Sequence, residues 1–171
     1  MTTQRYLGVL IVVFLVGGAA SRAAAQAPPA PSAPDCDDVA RSAEGFDPDL
    51  ARRLSADPNG MRRYVLAFLL AGPNRNQSEE EAARLQKAHL ANIARLGEEG
   101  KLVLAGPFLE DGQLRGIYVF AVESVEEAQK LTETDPAIQA GRLKMELHPW
   151  YGSAALGLLN ALHKRITSSR F

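Results

Sequence analysis

The chain has a single cysteine, Cys36, in 171 residues. A lone thiol excludes an intramolecular disulfide and any cysteine-rich metal cluster, so stability has to come from a packed core or from a second chain. Basic runs are also missing. The 19 Lys and Arg against 20 Asp and Glu leave a formal charge of −1, without the clustered cations that release counterions from nucleic acid. No nucleic-acid partner is expected. No apolar stretch reaches the roughly 20 residues of a spanning helix, and no glycine-rich phosphate loop occurs. The three histidines, His89, His148 and His163, have no carboxylate or cysteine at ligand spacing, so neither a metal nor another cofactor is expected. Ser153, Ser168 and Ser169 lack the strand-to-helix elbow of a nucleophile. What is present, 46% hydrophobic and 23% charged residues, is the composition of a globular protein with one domain.

The amino terminus departs from that pattern. Arg5 precedes the apolar run Tyr6 to Val16, and small residues follow as far as Ala23-Ala24-Ala25. This arrangement predicts a signal peptide over residues 1–25, cleaved after Ala25, and an exported product, periplasmic or secreted. Cleavage removes Arg5 and Arg22 and leaves a mildly acidic chain with no membrane segment. Gln26 to Pro34 (QAPPAPSAP) favours extended polyproline-type linker. Cys36 is read as an incidental thiol beyond it. Residues 26–60 are thus linker and lead-in, with Leu50 and Leu54 marking a short helix in Asp47 to Asp57 and a turn at Asp57-Pro58-Asn59-Gly60.

From residue 61 to 151 the periodicity predicts one domain. Tyr64 to Leu70 (YVLAFLL) reads as a strand. Ser78 with Glu81 forms an S-x-x-E capping box, opening a helix whose apolar stripe is Ala82, Leu85, Ile93 and Leu96. Leu102 to Ala105 and Gly116 to Val122 are two further strands, with a tight-turn signal at Asp111-Gly112. Ser124 with Glu127 caps a second helix, which stops around Thr134-Asp135-Pro136 because the residue before proline avoids helical geometry. Leu143, Met145 and Leu147 alternate with Lys144, Glu146 and His148 in a fourth strand before Pro149-Trp150. The order is βαββαβ, and its two halves resemble each other. That pattern predicts an α+β fold, a ferredoxin-like sandwich with a four-stranded antiparallel sheet and helices on one face. Residues 152–171 form a tail whose Ala155, Leu158, Leu159 and Leu162 predict a helix.

Two helices cover one face of such a sheet, yet the first and third strands are apolar on both. A homodimer packing sheet against sheet is therefore expected. The fourth strand would turn Lys144, Glu146 and His148 toward the space between the sheets, giving it the polar groups of a small-molecule cleft. Gly106, Pro107 and Phe108 read as backbone and apolar lining. With His148 and Trp150 they are the candidate ligand-binding residues.

Several of these segments together carry a family resemblance: AHLANIARL with its His89, KLVLAGPFLEDG, GIYVFAVES with its capped helix, TDPAIQAG with Asp135-Pro136, and the closing HPW. Arg62 to Trp150 resembles a YCII-related (YciI-like) domain, a small ferredoxin-like module that forms dimeric α/β barrels. The arginine often found shortly before the helix histidine is displaced here, the nearest being Arg84. The resemblance implies a catalytic histidine–aspartate pair, His89 with Asp135.

The helix pattern reaches the same histidine independently. Leu85 lies four residues before His89 and Ile93 four after, so His89 falls on the buried stripe, where an imidazole needs hydrogen-bond partners. Two readings stand at this point. In one, His89 completes a hydrogen-bond network in a non-catalytic binding or structural dimer. In the other, Asp135 fixes the imidazole tautomer, and His89 moves a proton on a compact aromatic or lactone-like molecule in a cofactor-free elimination or isomerisation.

Overall fold

Asp47 accepts hydrogen bonds from the amides of Asp49 and Leu50 and starts the first helix among the described residues, α1 (Pro48–Arg53). The computed structural model describes residues 45–168. The expected signal peptide, most of the linker with Cys36, and Ser169 lie outside the described residues. After α1 come β1 (Met61–Ala71), α2 (Glu79–Glu98), β2 (Leu102–Pro107), β3 (Leu114–Phe120), α3 (Val125–Thr132), α4 (Pro136–Gln139), β4 (Leu143–Ser153), a 3₁₀ turn (Ala154–Leu158) and α5 (Leu159–Ile166). Among the described residues no helix is long and apolar enough to cross a membrane.

Both serine caps form. Ser78 accepts from the Glu81 amide at 3.2 Å and Ser124 from the Glu127 amide at 3.1 Å. The glutamates of the two boxes turn elsewhere. Glu81 takes a bidentate pair from Arg84, and Glu127 takes Lys101, which precedes β2. A cation within reach competes better for a carboxylate than a single backbone amide does. Gly100, with φ +68°, ends α2 in the left-handed region that favours glycine.

The strands form one antiparallel sheet in the order β2-β3-β1-β4. This is the ferredoxin-like sandwich, but the sheet is not closed into the expected dimeric α/β barrel. The sheet is open, with β2 and β4 as its edges, because four strands are too few to curl closed around a filled interior. β4 runs on through Pro149, paired with Val65, as far as Ser153. Pro149 was expected to lie beyond the strand end, but an edge strand tolerates proline because one row of its amides needs no partner. The connection expected to be a tight turn at Asp111-Gly112 is a loop over 108–113, tied at its base by the Phe108 amide donating to Arg115 O at 2.9 Å.

The main core lies between the sheet and the helices. Val65, Ala67 and Leu69 of β1, Tyr118 and Phe120 of β3, and Leu102 of β2 pack with Leu96 of α2 and Ala128 of α3, and Leu143, Met145 and Leu147 of β4 close its margin. Each fully buried side chain of the leucine or phenylalanine class contributes roughly 1.5–3 kcal/mol. The opposite face holds a second cluster of Tyr64, Val103 and Val119, against which Leu156 of the 3₁₀ turn packs. The tail thus docks on its own domain, and Asn160 of α5 holds it there by donating to Gly97 O and Leu102 O. Leu66, Phe68, Leu70 and Ile117 are left half-buried, beside exposed Lys144, Glu146 and His148.

Asp57 fastens the turn before β1 to β4. Its carboxylate accepts from the Tyr151 hydroxyl and from the amides of Asn59 and Met61. The Tyr151 bond first, and then the Met61 amide, hold this carboxyl below its ordinary value of 3.8. The stabilisation is therefore present above that value and is lost as pH falls through the depressed one. Tyr151→Phe should lower the melting temperature at neutral pH, and the gap from the parent protein should close in acid. A gap of constant size across a pH series of thermal melts would contradict this account.

Candidate functional site

In α2, residues spaced along one face, Leu85, His89, Asn92 and Leu96, are the buried ones, the stripe of a helix lying on a core. His89 and Asn92 interrupt it with polar groups and must find partners inside the protein. For His89 and for the Asn92 side-chain oxygen, partners come from the turn between α3 and α4, while Asn92 Nδ2 is left without one among the described residues. Asp135 is the N-cap of α4, followed by Pro136 in the first helical turn, where a missing amide costs nothing. Its Oδ1 accepts from the Ala137 amide at 2.9 Å. Its Oδ2 stands 2.7 Å from His89 Nδ1.

Asp135 has no exposed surface and His89 only 7%. A carboxylate only accepts, so Nδ1 donates to it, and in the neutral imidazole Nε2 then carries the lone pair. Nε2 faces the Tyr118 hydroxyl at 3.3 Å, and the two rings stack 6.2 Å apart at 19°. Burial, and then the charge of Asp135, push the Tyr118 phenol well above its ordinary value. Tyr118 is therefore a neutral donor toward Nε2. Phe120 meets the Tyr118 ring edge-on at 5.7 Å and fixes its position. A second fastening lies one helical turn along α2. Arg95 Nη2 donates to Asn92 Oδ1 and to Thr134 Oγ1, at 2.8 and 2.9 Å. Thr134 adjoins Asp135, so α2 is tied to this turn at two successive points.

Asp135 orders the imidazole and can balance a charge on it, while Nε2 is placed to accept or return a proton. Tyr118 completes the line, and the strand pattern had placed it only as an apolar residue. The signal available was its hydroxyl: a tyrosine on the helix-covered side of an apolar strand needs a hydrogen-bond partner. Asn92 was missed because it sits where the stripe calls for an apolar residue. Arg84, the arginine nearest before the histidine, pairs with Glu81 at the surface.

The five expected ligand-binding residues do not meet. Gly106 and Pro107, with Phe108 just beyond, belong to edge strand β2, while His148 and Trp150 belong to the other edge, β4. Three strand spacings, roughly 14 Å, separate the two edges. His148 packs edge-on against Phe68 at 5.6 Å, on the face turned away from His89. Trp150 lines a half-open cavity of about 670 Å³ together with Asp57, Arg62, Tyr64, Glu123 and Tyr151. Neither His89 nor Asp135 borders that cavity.

Comparison with known proteins matches a family model and finds a weakly similar solved structure. The model of the YCII-related domain matches residues 66–150. A solved structure of 5-chloro-2-hydroxyhydroquinone dehydrochlorinase (TftG) from Burkholderia phenoliruptrix AC1100, in complex with 2,5-dihydroxybenzoquinone, is similar at 23% identity and a TM-score of 0.40. The similarity covers 51% of this chain and 92% of that one. No curated protein matches the chain.

The two oxygens of Asp135 have separable tasks. Asp135→Ala removes a cap and strands the histidine, and should destabilise by about 3 kcal/mol, as loss of one partner from a buried pair does. Asp135→Asn keeps a good capping oxygen and should be milder by about 1 kcal/mol. Urea unfolding of both variants measures the difference, and equal costs would show that Oδ1 contributes nothing as a cap.

Proposed function

Since the chain is a member of the YCII-related domain family through residues 66–150, we propose that it is an acid–base enzyme acting on a compact, aromatic or lactone-like molecule, with His89 as the proton carrier. The observation that carries this reading is the 2.7 Å contact between His89 Nδ1 and the fully buried Asp135, with Nε2 left facing a neutral tyrosine hydroxyl. Nε2 takes a proton from carbon, and the C–H electron pair forms a double bond as a neighbouring group leaves or an existing double bond shifts. The imidazolium, balanced by Asp135, then returns the proton to the leaving group or to the far carbon. Proton transfer of this kind is complete within the side chains present and calls on no further reactant. The Tyr118 hydroxyl, released from Nε2 when the imidazole is protonated, is free to donate to an oxygen of the substrate.

Access is from the β2 edge. Ala105, the cross-strand partner of Tyr118, is exposed, so a small displacement there opens the line to His89. The second reading, a binding or structural module without turnover, draws on the 7% exposure of His89 and on the position of the cavity away from it. Whether active or not, the protein is proposed to be a homodimer joined through Leu66, Phe68, Leu70 and Ile117, because apolar surface of that kind is costly to leave in water. Export, on the strength of the Tyr6 to Val16 run and Ala23-Ala24-Ala25, belongs to the same proposal.

Solvent-deuterium exchange into a panel of small cyclic ketones, lactones and hydroxyaromatics, followed by proton NMR, tests the chemistry. His89→Gln should reduce exchange by about 100-fold or more, with folding verified by circular dichroism. Exchange at the parental rate in a folded His89→Gln would sink the acid–base reading, and no exchange in the parent protein across the panel would favour the binding module. Light scattering on a sizing column tests the assembly: the protein should elute as a dimer and Phe68→Glu as a folded monomer, whereas a stable, soluble parental monomer would contradict it.

A further inference from the structure

The cavity at the amino-terminal end of β1 has a feature that the acid–base pair does not use. The Arg62 side chain is only 18% exposed, yet its contacts among the described residues are all long. Its Nη1 is 3.4 Å from Leu54 O, its Nε 3.4 Å from Arg63 O, and its Nη2 3.8 Å from Glu123. A mostly covered arginine side chain whose nearest carboxylate is 3.8 Å away is only weakly compensated for the water it has lost. Glu123 does little to answer it, because that carboxylate is 70% exposed and a loose surface pair is worth little.

Aromatic surface adjoins the charge. Arg62 lies over the Tyr64 ring, 5.1 Å from its centre, and Tyr64 meets Trp150 at 5.8 Å. In the β1–β4 ladder Tyr64 pairs with Trp150 and Arg62 with Gly152. A Cβ at Gly152 would stand 2.3 Å from the Trp150 ring, so the indole lies flat across Gly152 toward Arg62 and only glycine makes room for it. The result is a flat aromatic wall, 38% exposed at Trp150, beside an under-partnered guanidinium. The cavity volume, about 670 Å³, is in the range of small-molecule sites.

We infer that this cavity is a second binding site, for planar aromatic carboxylates, in which the ring stacks on Trp150 and the carboxylate replaces Glu123 at Arg62. A guanidinium fork matches a carboxylate edge-on with two parallel hydrogen bonds. Asp57 and Glu123 border the same cavity, so a singly charged carboxylate suits it better than a doubly charged phosphate. The site lies on the face of the sheet turned away from His89 and stands independently of the acid–base reading.

Trp150 is the chain's one tryptophan, so fluorescence excited at the red edge of the absorption band, where tyrosine does not absorb, reports on this cavity. Benzoate added to the full chain should quench it saturably, with benzyl alcohol, acetate and phenyl phosphate at least tenfold weaker. Arg62→Gln should weaken benzoate at least tenfold. Glu123→Gln, a change at an exposed side chain that leaves folding intact, should tighten it several-fold by removing the competing carboxylate. His89→Gln should leave it unchanged. Quenching that does not saturate, equal response to benzyl alcohol, or parental affinity in both Arg62→Gln and Glu123→Gln would each overturn the site. Loss of benzoate binding in His89→Gln with retention in Arg62→Gln would move the ligand to the buried pair, overturning this inference while leaving the acid–base proposal intact.

Discussion

A carboxylate with no exposed surface must have its oxygens answered by protein groups, and Asp135 answers both through different parts of the chain. One oxygen caps α4; the other holds the imidazole of a helix 46 positions earlier in sequence. Removing either partner would leave charge or a polar atom stranded in a medium that solvates it poorly. Helix α2, the turn after α3 and strand β3 are thereby joined at one point, because His89 passes the constraint on to Tyr118. The Arg95–Asn92–Thr134 contacts repeat the fastening one turn along. Asp135 at Nδ1 and Tyr118 at Nε2 hold the direction of the imidazole, and the second fastening holds the helix to the turn that carries Asp135.

The sheet turns this local arrangement into a division of labour. Helices on one face enclose the acid–base pair and keep it nearly dry. The other face is covered only in part, by Leu156 of the 3₁₀ turn, and it keeps half-buried apolar residues on β1 and β3 beside a charged row on β4. At one end of that face Arg62, Tyr64 and Trp150 make a surface with both a charge and stacking area. Because the sheet is open, its edges do different work: β2 brings an exposed alanine opposite Tyr118, and β4 carries a proline and two of the cavity's aromatic residues, Trp150 and Tyr151.

Much of the fold was legible in the residues themselves. The caps at Ser78 and Ser124, the stop before Pro136 and the alternation of Leu143, Met145 and Leu147 are local signals, and each element they predict is present. The βαββαβ order carried the sandwich and its antiparallel sheet, but not the closure, since the barrel expectation came with the family resemblance and the sheet is open. The site was half legible. His89 was readable from helix spacing and Asp135 from the family pattern; Tyr118, Asn92 and Arg62 were not. Glu81 and Glu127 show why. Spacing placed them correctly in their capping boxes, but spacing could not foresee that Arg84 and Lys101 would take their carboxylates.

The sequence by itself determined which segments are helix or strand and which of their faces are apolar, because hydrophobic period and capping act over a few neighbouring residues. Only the tertiary structure decided which polar groups meet. His89 and Asp135 came within 2.7 Å, while the residues expected to line one cleft were parted to opposite edges of the sheet. Partner choice depends on strand order and register, which the whole chain settles together, and hydrogen bonds and ion pairs fail over errors of an ångström that a hydrophobic pattern tolerates.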